Sequence, residues 1–167
     1  MKKIFLLLFV FLLVGCEKDD ICDANTPTTP RLVIEFYDFN ASTETLKNVT
    51  NLGVIAPSFI EGIGFNGVNK IQVPLKITED TTTLRFIQNG SDTNITNDNE
   101  DILKFNYSRN EVYISRACGF KTLFTLNTTS PIVPTEPFSS ASSWIKNIVI
   151  VKANLENENE VHVKIFF

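Results

Sequence analysis

The sequence is poor in the residues that most often carry chemistry. Its 167 residues include one histidine, one tryptophan, one methionine and three cysteines. A single histidine cannot build a multi-histidine metal site, and no Gly-x-Ser-x-Gly elbow accompanies it to suggest a hydrolase triad. Basic residues are in deficit, 15 Lys and Arg against 19 Asp and Glu. That balance argues against nucleic acid as a partner, because phosphates demand a basic footprint. No apolar run is long enough to cross a bilayer as a helix: residues 4–14 are apolar without a break, whereas a spanning helix needs about 20 such residues. Beyond that run the chain has no convincing helical period.

What is present begins at the amino terminus. Met1-Lys2-Lys3, the short apolar run and the small residue Gly15 match a secretory signal. Leu13-Val14-Gly15-Cys16 resembles the lipobox of bacterial lipoproteins. The resemblance implies diacylation of the Cys16 thiol, cleavage after Gly15 and acylation of the new amino terminus, so that residues 1–15 are a signal peptide. Each buried methylene is worth about 0.8 kcal/mol and one acyl chain holds only marginally, so several chains on Cys16 imply a durable bilayer anchor. Behind it, Cys16-Glu17-Lys18-Asp19-Asp20 resembles the export signal that sends some Bacteroidetes lipoproteins to the outer face of the outer membrane. Lys18, Asp19 and Asp20 are then the address. The alternative is a solvated leader behind a periplasm-facing anchor. Removing Lys2 and Lys3 takes the net charge from −4 to −6, which also argues against docking on anionic lipid.

With Cys16 acylated, Cys22 and Cys118 remain in an oxidising compartment, where disulfides persist. They are expected to pair; the alternative is two separate thiols. A bridge between them would pin the leader to the domain close to the membrane.

Residues 16–30 are polar and end Asn25-Thr26-Pro27-Thr28-Thr29-Pro30, an extended tether in composition. From residue 31 strand signals follow one another. Residues 32–39 are β-branched and aromatic on both faces, as suits a central strand. Ile71, Val73, Leu75 and Ile77 alternate with polar residues or Pro74, and Pro74 cannot donate to a ladder, which places that strand at an edge or bulge. Residues 83–88 follow. A hairpin is expected from residues 102–107 and 112–117 around Ser108-Arg109-Asn110, with Gly119 at a corner or bulge. The last strands are residues 145–155 and 161–167, with Val161, Val163, Ile165 and Phe167 inward and His162, Lys164 and Phe166 outward. The reading is an all-β, two-sheet, immunoglobulin-like sandwich of eight or nine strands over residues 31–167, with a β-barrel as the alternative. Residues 52–69 and 128–143 are long connections that serve either as partner-binding rims or as caps over the open ends.

Several motifs look like chemistry and are set aside on physical grounds. Gly62-Ile63-Gly64-Phe65-Asn66-Gly67 spells the dinucleotide fingerprint, but a strand follows it where a helix N-terminus is needed. Residues 92–101 are oxygen-rich, yet Gly and Glu are missing from the sixth and twelfth positions that an EF-hand requires. Six Asn-x-Ser/Thr triplets reflect composition. Asp80-Thr81-Thr82 resembles the O-glycosylation signal of exported Bacteroidetes proteins, making Thr81 the candidate acceptor. No metal or cofactor is expected, and no set of residues composes a catalytic centre.

The segments Cys16-Glu17-Lys18-Asp19-Asp20-Ile21-Cys22, Thr26-Pro27-Thr28-Thr29-Pro30-Arg31-Leu32-Val33-Ile34, Val73-Pro74-Leu75, Ser115-Arg116-Ala117-Cys118-Gly119 and Val163-Lys164-Ile165-Phe166-Phe167 make the chain similar to a flavobacterial lipoprotein family of unknown function. That resemblance implies an address and a shared fold, and no activity. The expected role is a non-catalytic envelope module that binds or scaffolds another envelope component. A glycan-binding module using Tyr37, Tyr107, Tyr113 and Trp144 is the alternative, and a hydrolase comes third.

Overall fold

The protein is described by a computed structural model covering residues 21–167. Eleven strands lie among these residues: β1 (Leu32–Tyr37), β2 (Leu52–Ile55), β3 (Ile63–Phe65), β4 (Lys70–Val73), β5 (Thr81–Gln88), β6 (Asn99–Ser115), β7 (Gly119–Leu126), β8 (Ile132–Pro134), β9 (Asn147–Ile150), β10 (Asn154–Leu155) and β11 (Val163–Phe166). They form a four-stranded sheet, β4-β1-β11-β9, and a seven-stranded sheet, β10-β7-β6-β5-β2-β3 with β8 beside β6. Neither sheet closes on itself, so the fold is a sandwich and not a barrel. The count exceeds the expected eight or nine because short strands β2, β3 and β8 form inside the two long connections and residues 145–155 divide into β9 and β10, which outweighs the merging of residues 102–107 and 112–117 into the single strand β6.

Strand β1 is central, as its two apolar faces require. Only Glu35 among its six residues is not buried. It pairs antiparallel with β4 (Ile34 opposite Ile71) and parallel with β11 (Ile34 opposite Val163). Strand β4 is an edge strand and ends immediately before Pro74.

The segment around Ser108 corrects the expected hairpin. Strand β6 runs without a turn for 17 residues, pairing with β5 as far as Asn106 and with β7 from Tyr107 onward. Ser108, Arg109 and Asn110 are polar because the strand is leaving the sandwich there, not because it reverses. The reversal comes at residues 116–118, and Gly119 completes it with φ +67°, a left-handed conformation that glycine adopts without steric cost.

The core is apolar and aromatic, with Phe36 stacked 6.4 Å from Trp144 and the rings of Phe86 and Phe105 tilted against each other at 6.3 Å. One buried carboxylate joins the layers across it. Asp101 on β6 uses Oδ2 to accept from the Ser143 hydroxyl (3.0 Å), the Trp144 N–H (2.9 Å) and the Ile145 N–H (2.7 Å). The Trp144 indole N–H donates to the Phe86 carbonyl at 3.1 Å. The segment that feeds β9 of the small sheet is thus bonded to β5 and β6 of the large one. Replacing Asp101 with Ala strands two buried N–H groups, and each such loss carries a desolvation cost. We expect Asp101→Ala to lower stability by about 3 kcal/mol, read as a drop in the urea midpoint at unchanged slope; a change within about 0.5 kcal/mol, the range of ordinary surface substitutions, would remove this role.

Candidate functional site

Beyond Asn106, β6 leaves β5 and pairs with β7, which β10 still flanks at Phe124 and Thr125; past Arg109 and Phe124 the two strands run on alone as a ribbon that projects from the sandwich. Residues 110–115 add roughly 17 Å at the usual rise per residue. A two-stranded ribbon is marginally stable by itself. Here the leader braces it. Cys22 and Cys118 form a disulfide with Cα atoms 4.9 Å apart, across a sequence separation of 96 residues. Thr26 Oγ1 lies 3.7 Å from Cys118 Sγ, and the Thr29 hydroxyl accepts from the Thr122 N–H at 2.9 Å. The strap ends where Arg31 makes a two-pronged ion pair with Glu158, with contacts of 2.8 and 2.6 Å. Residues 22–31 therefore run down the ribbon and deliver the chain into β1.

The tip of this ribbon is the candidate site. Tyr113 and Phe120 face each other across β6 and β7 with ring centroids 5.3 Å apart, and both are exposed, at 56% and 66%. They continue the inward-facing alternation of Tyr107 on β6 and of Phe124 on β7, but here no sheet lies opposite to cover them. Ile21, 79% exposed, stands at the start of the described chain and shares a cleft with Tyr113. A shallow cleft of about 650 Å³ lies between Ile21, Asp23, Thr26 and residues 113–118.

Other residues singled out in the sequence fall elsewhere. Cys16, Lys18, Asp19 and Asp20 lie outside the described residues. Thr81 opens β5 and is half-buried opposite Asn106, while the neighbouring Asp80 carboxylate accepts from Arg109 Nε at 2.7 Å. The four aromatics considered for a glycan platform do not come together. Tyr37, Tyr107 and Trp144 are buried, and only Tyr113 is exposed. Their polar atoms have internal partners: the Tyr107 hydroxyl donates to the Lys76 carbonyl (2.9 Å) and lies 2.6 Å from the Thr82 hydroxyl. The Tyr37 hydroxyl donates to Glu35 at 2.8 Å. Burial pushes the Glu35 carboxyl up, but Lys70, 2.8 Å away, and Tyr37 outweigh it and hold the group below its ordinary range.

The oxygen-rich loop turns its side chains upon itself. Asp92 accepts from the Asn94 N–H and from Asn51 Nδ2, and Asn94 accepts from Thr96, while Asp101 belongs to the core. Among the described residues no group of three or more His, Cys, Asp or Glu side chains is placed to hold a metal. The glycine-rich hexapeptide forms β3 and a turn at Gly67, with φ +65°. At Gly62 a Cβ would lie 2.3 Å from the Val54 carbonyl oxygen, so glycine is required there by close approach.

His162 is the clearest correction at a single residue. Expected outward, it is 1% exposed. Its Nδ1 accepts from the Val33 N–H at 2.9 Å while its own N–H donates to the Val33 carbonyl at 3.0 Å, so ring and backbone together complete the β1 ladder ahead of β11. Val161, expected inward, is only partly buried. Burial lowers the imidazole pKa from 6.5, and the Lys152 charge adds to the effect against the opposing pull of Glu160 and Glu158. A proton on Nδ1 would face the Val33 N–H, so the fold holds the ring neutral. The unfolded chain then binds a proton that the folded chain refuses. Stability is complete above about pH 6.5 and declines as the pH falls through the lowered pKa. His162→Gln, which keeps an acceptor for Val33, is expected to flatten that decline below about pH 6.5. Urea denaturation over a pH series measures it, and equal slopes in variant and wild type would contradict the assignment.

Comparison with known proteins gives one finding. The model of a family described as a family of unknown function (DUF6452) matches residues 58–167, from the β2–β3 loop to the last residue. No curated protein matches the chain, and no solved structure matches it.

Proposed function

The chain belongs to the DUF6452 family, a family of unknown function, and we propose from that premise that it is a lipid-anchored lipoprotein of the outer membrane. In this reading it is a non-catalytic module that binds or scaffolds another component of the cell envelope. The observation that carries the proposal is the Cys22–Cys118 bridge. Disulfides persist outside the reducing cytosol, which agrees with export by the signal in residues 1–15. The bridge also begins six residues after Cys16, so the domain is strapped close to the point where the lipid would be attached. Lys18-Asp19-Asp20, directly behind the anchor, favour display on the cell surface over the periplasmic face.

A glycan-binding module is the second reading. It rests on Tyr113 and Phe120, the exposed aromatic pair at the ribbon tip, since stacking on a sugar needs exposed rings.

Two substitutions test the leading proposal. Cys16→Ser is expected to leave an uncleaved or soluble precursor, read by fractionation and intact mass. A mature protein of unaltered mass that begins elsewhere than Cys16 would sink the anchor. Replacing Lys18, Asp19 and Asp20 together with Ala is expected to move the protein away from the cell surface while acylation and folding survive, because these charged side chains precede the domain. Protease shaving of intact cells measures the change. Equal protection of variant and wild type would leave a periplasm-facing scaffold.

A further inference from the structure

We propose that the ribbon tip is a membrane-contact surface: Tyr113, Phe120 and Ile21 rest in the phospholipid interface beside the acylated cysteine and set the tilt of the domain on the bilayer. The inference deepens the lipoprotein reading and rests on Cys16 being the anchor.

Chain length makes the first part of the argument. From Cys16 to Cys22 is six residues, a span of at most about 20 Å when fully extended. The disulfide adds 4.9 Å between Cα atoms to reach Cys118. Cys118 is therefore held within about 25 Å of the lipidated residue, closer than the thickness of the bilayer's hydrocarbon core. A free tether of residues 16–30 would allow the domain to tumble well above the surface; the bridge withdraws that freedom from everything after Cys22.

Chemistry makes the second part. The Tyr113–Phe120 contact supports the hairpin as a cross-strand pair, but it leaves both rings more than half exposed. Tyr113 and Phe120 are an edge-on aromatic pair with one polar hydroxyl. Aromatic rings of this amphipathic kind concentrate at the level of lipid headgroups. Arg116, exposed at the turn, and the half-buried Lys121 flank the pair, and long basic side chains keep their charge in water while their stems lie along apolar surface. Asp23 and Glu111, both exposed nearby, cancel those two charges. The patch as a whole suits a zwitterionic interface, in keeping with the acidic balance of the mature chain.

The test uses the full-length acylated protein reconstituted in phosphatidylcholine vesicles, with and without bromine on the acyl chains. The natural Trp144 is buried in the core and gives the baseline. Tyr113→Trp and, as an independent probe, Phe120→Trp each add one tryptophan at the tip. Ile95→Trp adds one at an 81% exposed position by the opposite end of β6, about 50 Å away along the strand. The tip probes are expected to shift to the blue and to lose emission at least about twofold in brominated vesicles, while Trp144 and the Ile95→Trp probe keep theirs. Vesicle flotation is read on the same samples. Protein that fails to float removes the anchor and the contact surface together. Protein that floats with both tip probes unquenched overturns the contact surface alone, leaving the anchor in place and the aromatic pair facing solvent for another ligand such as a glycan.

Discussion

The inner face of a strand in a sandwich must be covered, and β6 is longer than the sheet available to cover it. Its 17 residues serve β5 and β8 as far as Asn106 and β7 beyond it, and the ribbon begins where β10 stops flanking β7. Up to Tyr107 the inward side chains meet the opposite sheet. Past that point the leader braces the ribbon, with the disulfide at the tip and the Thr29 to Thr122 hydrogen bond partway down, while Tyr113 and Phe120 stay uncovered. A disulfide that closes so long a loop withdraws several kcal/mol of entropy from the unfolded chain, of the order of 4–5 kcal/mol if the chain-entropy account is taken at face value. That stabilisation is applied at the place where the hydrophobic term is weakest.

Inside the sandwich the same economy appears in polar form. Asp101 and His162 are both buried, and each supplies an acceptor to backbone N–H groups that strand pairing leaves without one. Their substitution is costly for a reason separate from volume: an apolar replacement of similar size would fill the space and still leave the N–H groups unpaired. The two residues act on different joints. Asp101 ties the large sheet to the segment entering β9, whereas His162 closes the parallel pairing of β1 and β11 within the small one.

The sequence was most legible where one physical term dominates. A strand apolar on both faces has to be central, and β1 is; a proline within an alternating run calls for an edge or a bulge, and β4 lies at the edge and stops before Pro74. It misled where two terms give the same letters. Ser108-Arg109-Asn110 has the composition of a turn, but polar residues also suit a ribbon that is wet on both sides, and Arg109 is engaged there with Asp80. The buried tyrosines pose a similar ambiguity, because a phenol serves equally on a glycan platform and in a core when its hydroxyl finds partners such as Lys76 and Thr82. The exposed pair at the tip left a faint trace in sequence. Tyr113 keeps the inward alternation of Tyr107 and Phe120 that of Phe124, but recognising them as uncovered needs the knowledge that the opposite sheet stops short.

The family match begins at residue 58, and the fold shows that the matched part is not a self-sufficient unit. Without β1 the small sheet would lose its central strand, leaving β4 with no partner and β11 with only β9. Without residues 22–30 the ribbon would keep its strands but lose its brace. The domain therefore begins structurally at Cys22, and the bridge joins a segment before the match to one inside it. By composition residues 22–30 read as tether, yet the disulfide, the Thr29 to Thr122 hydrogen bond and the Arg31–Glu158 ion pair make residues 22–31 part of the folded body. A substitution there would act on the ribbon and on how the domain is presented.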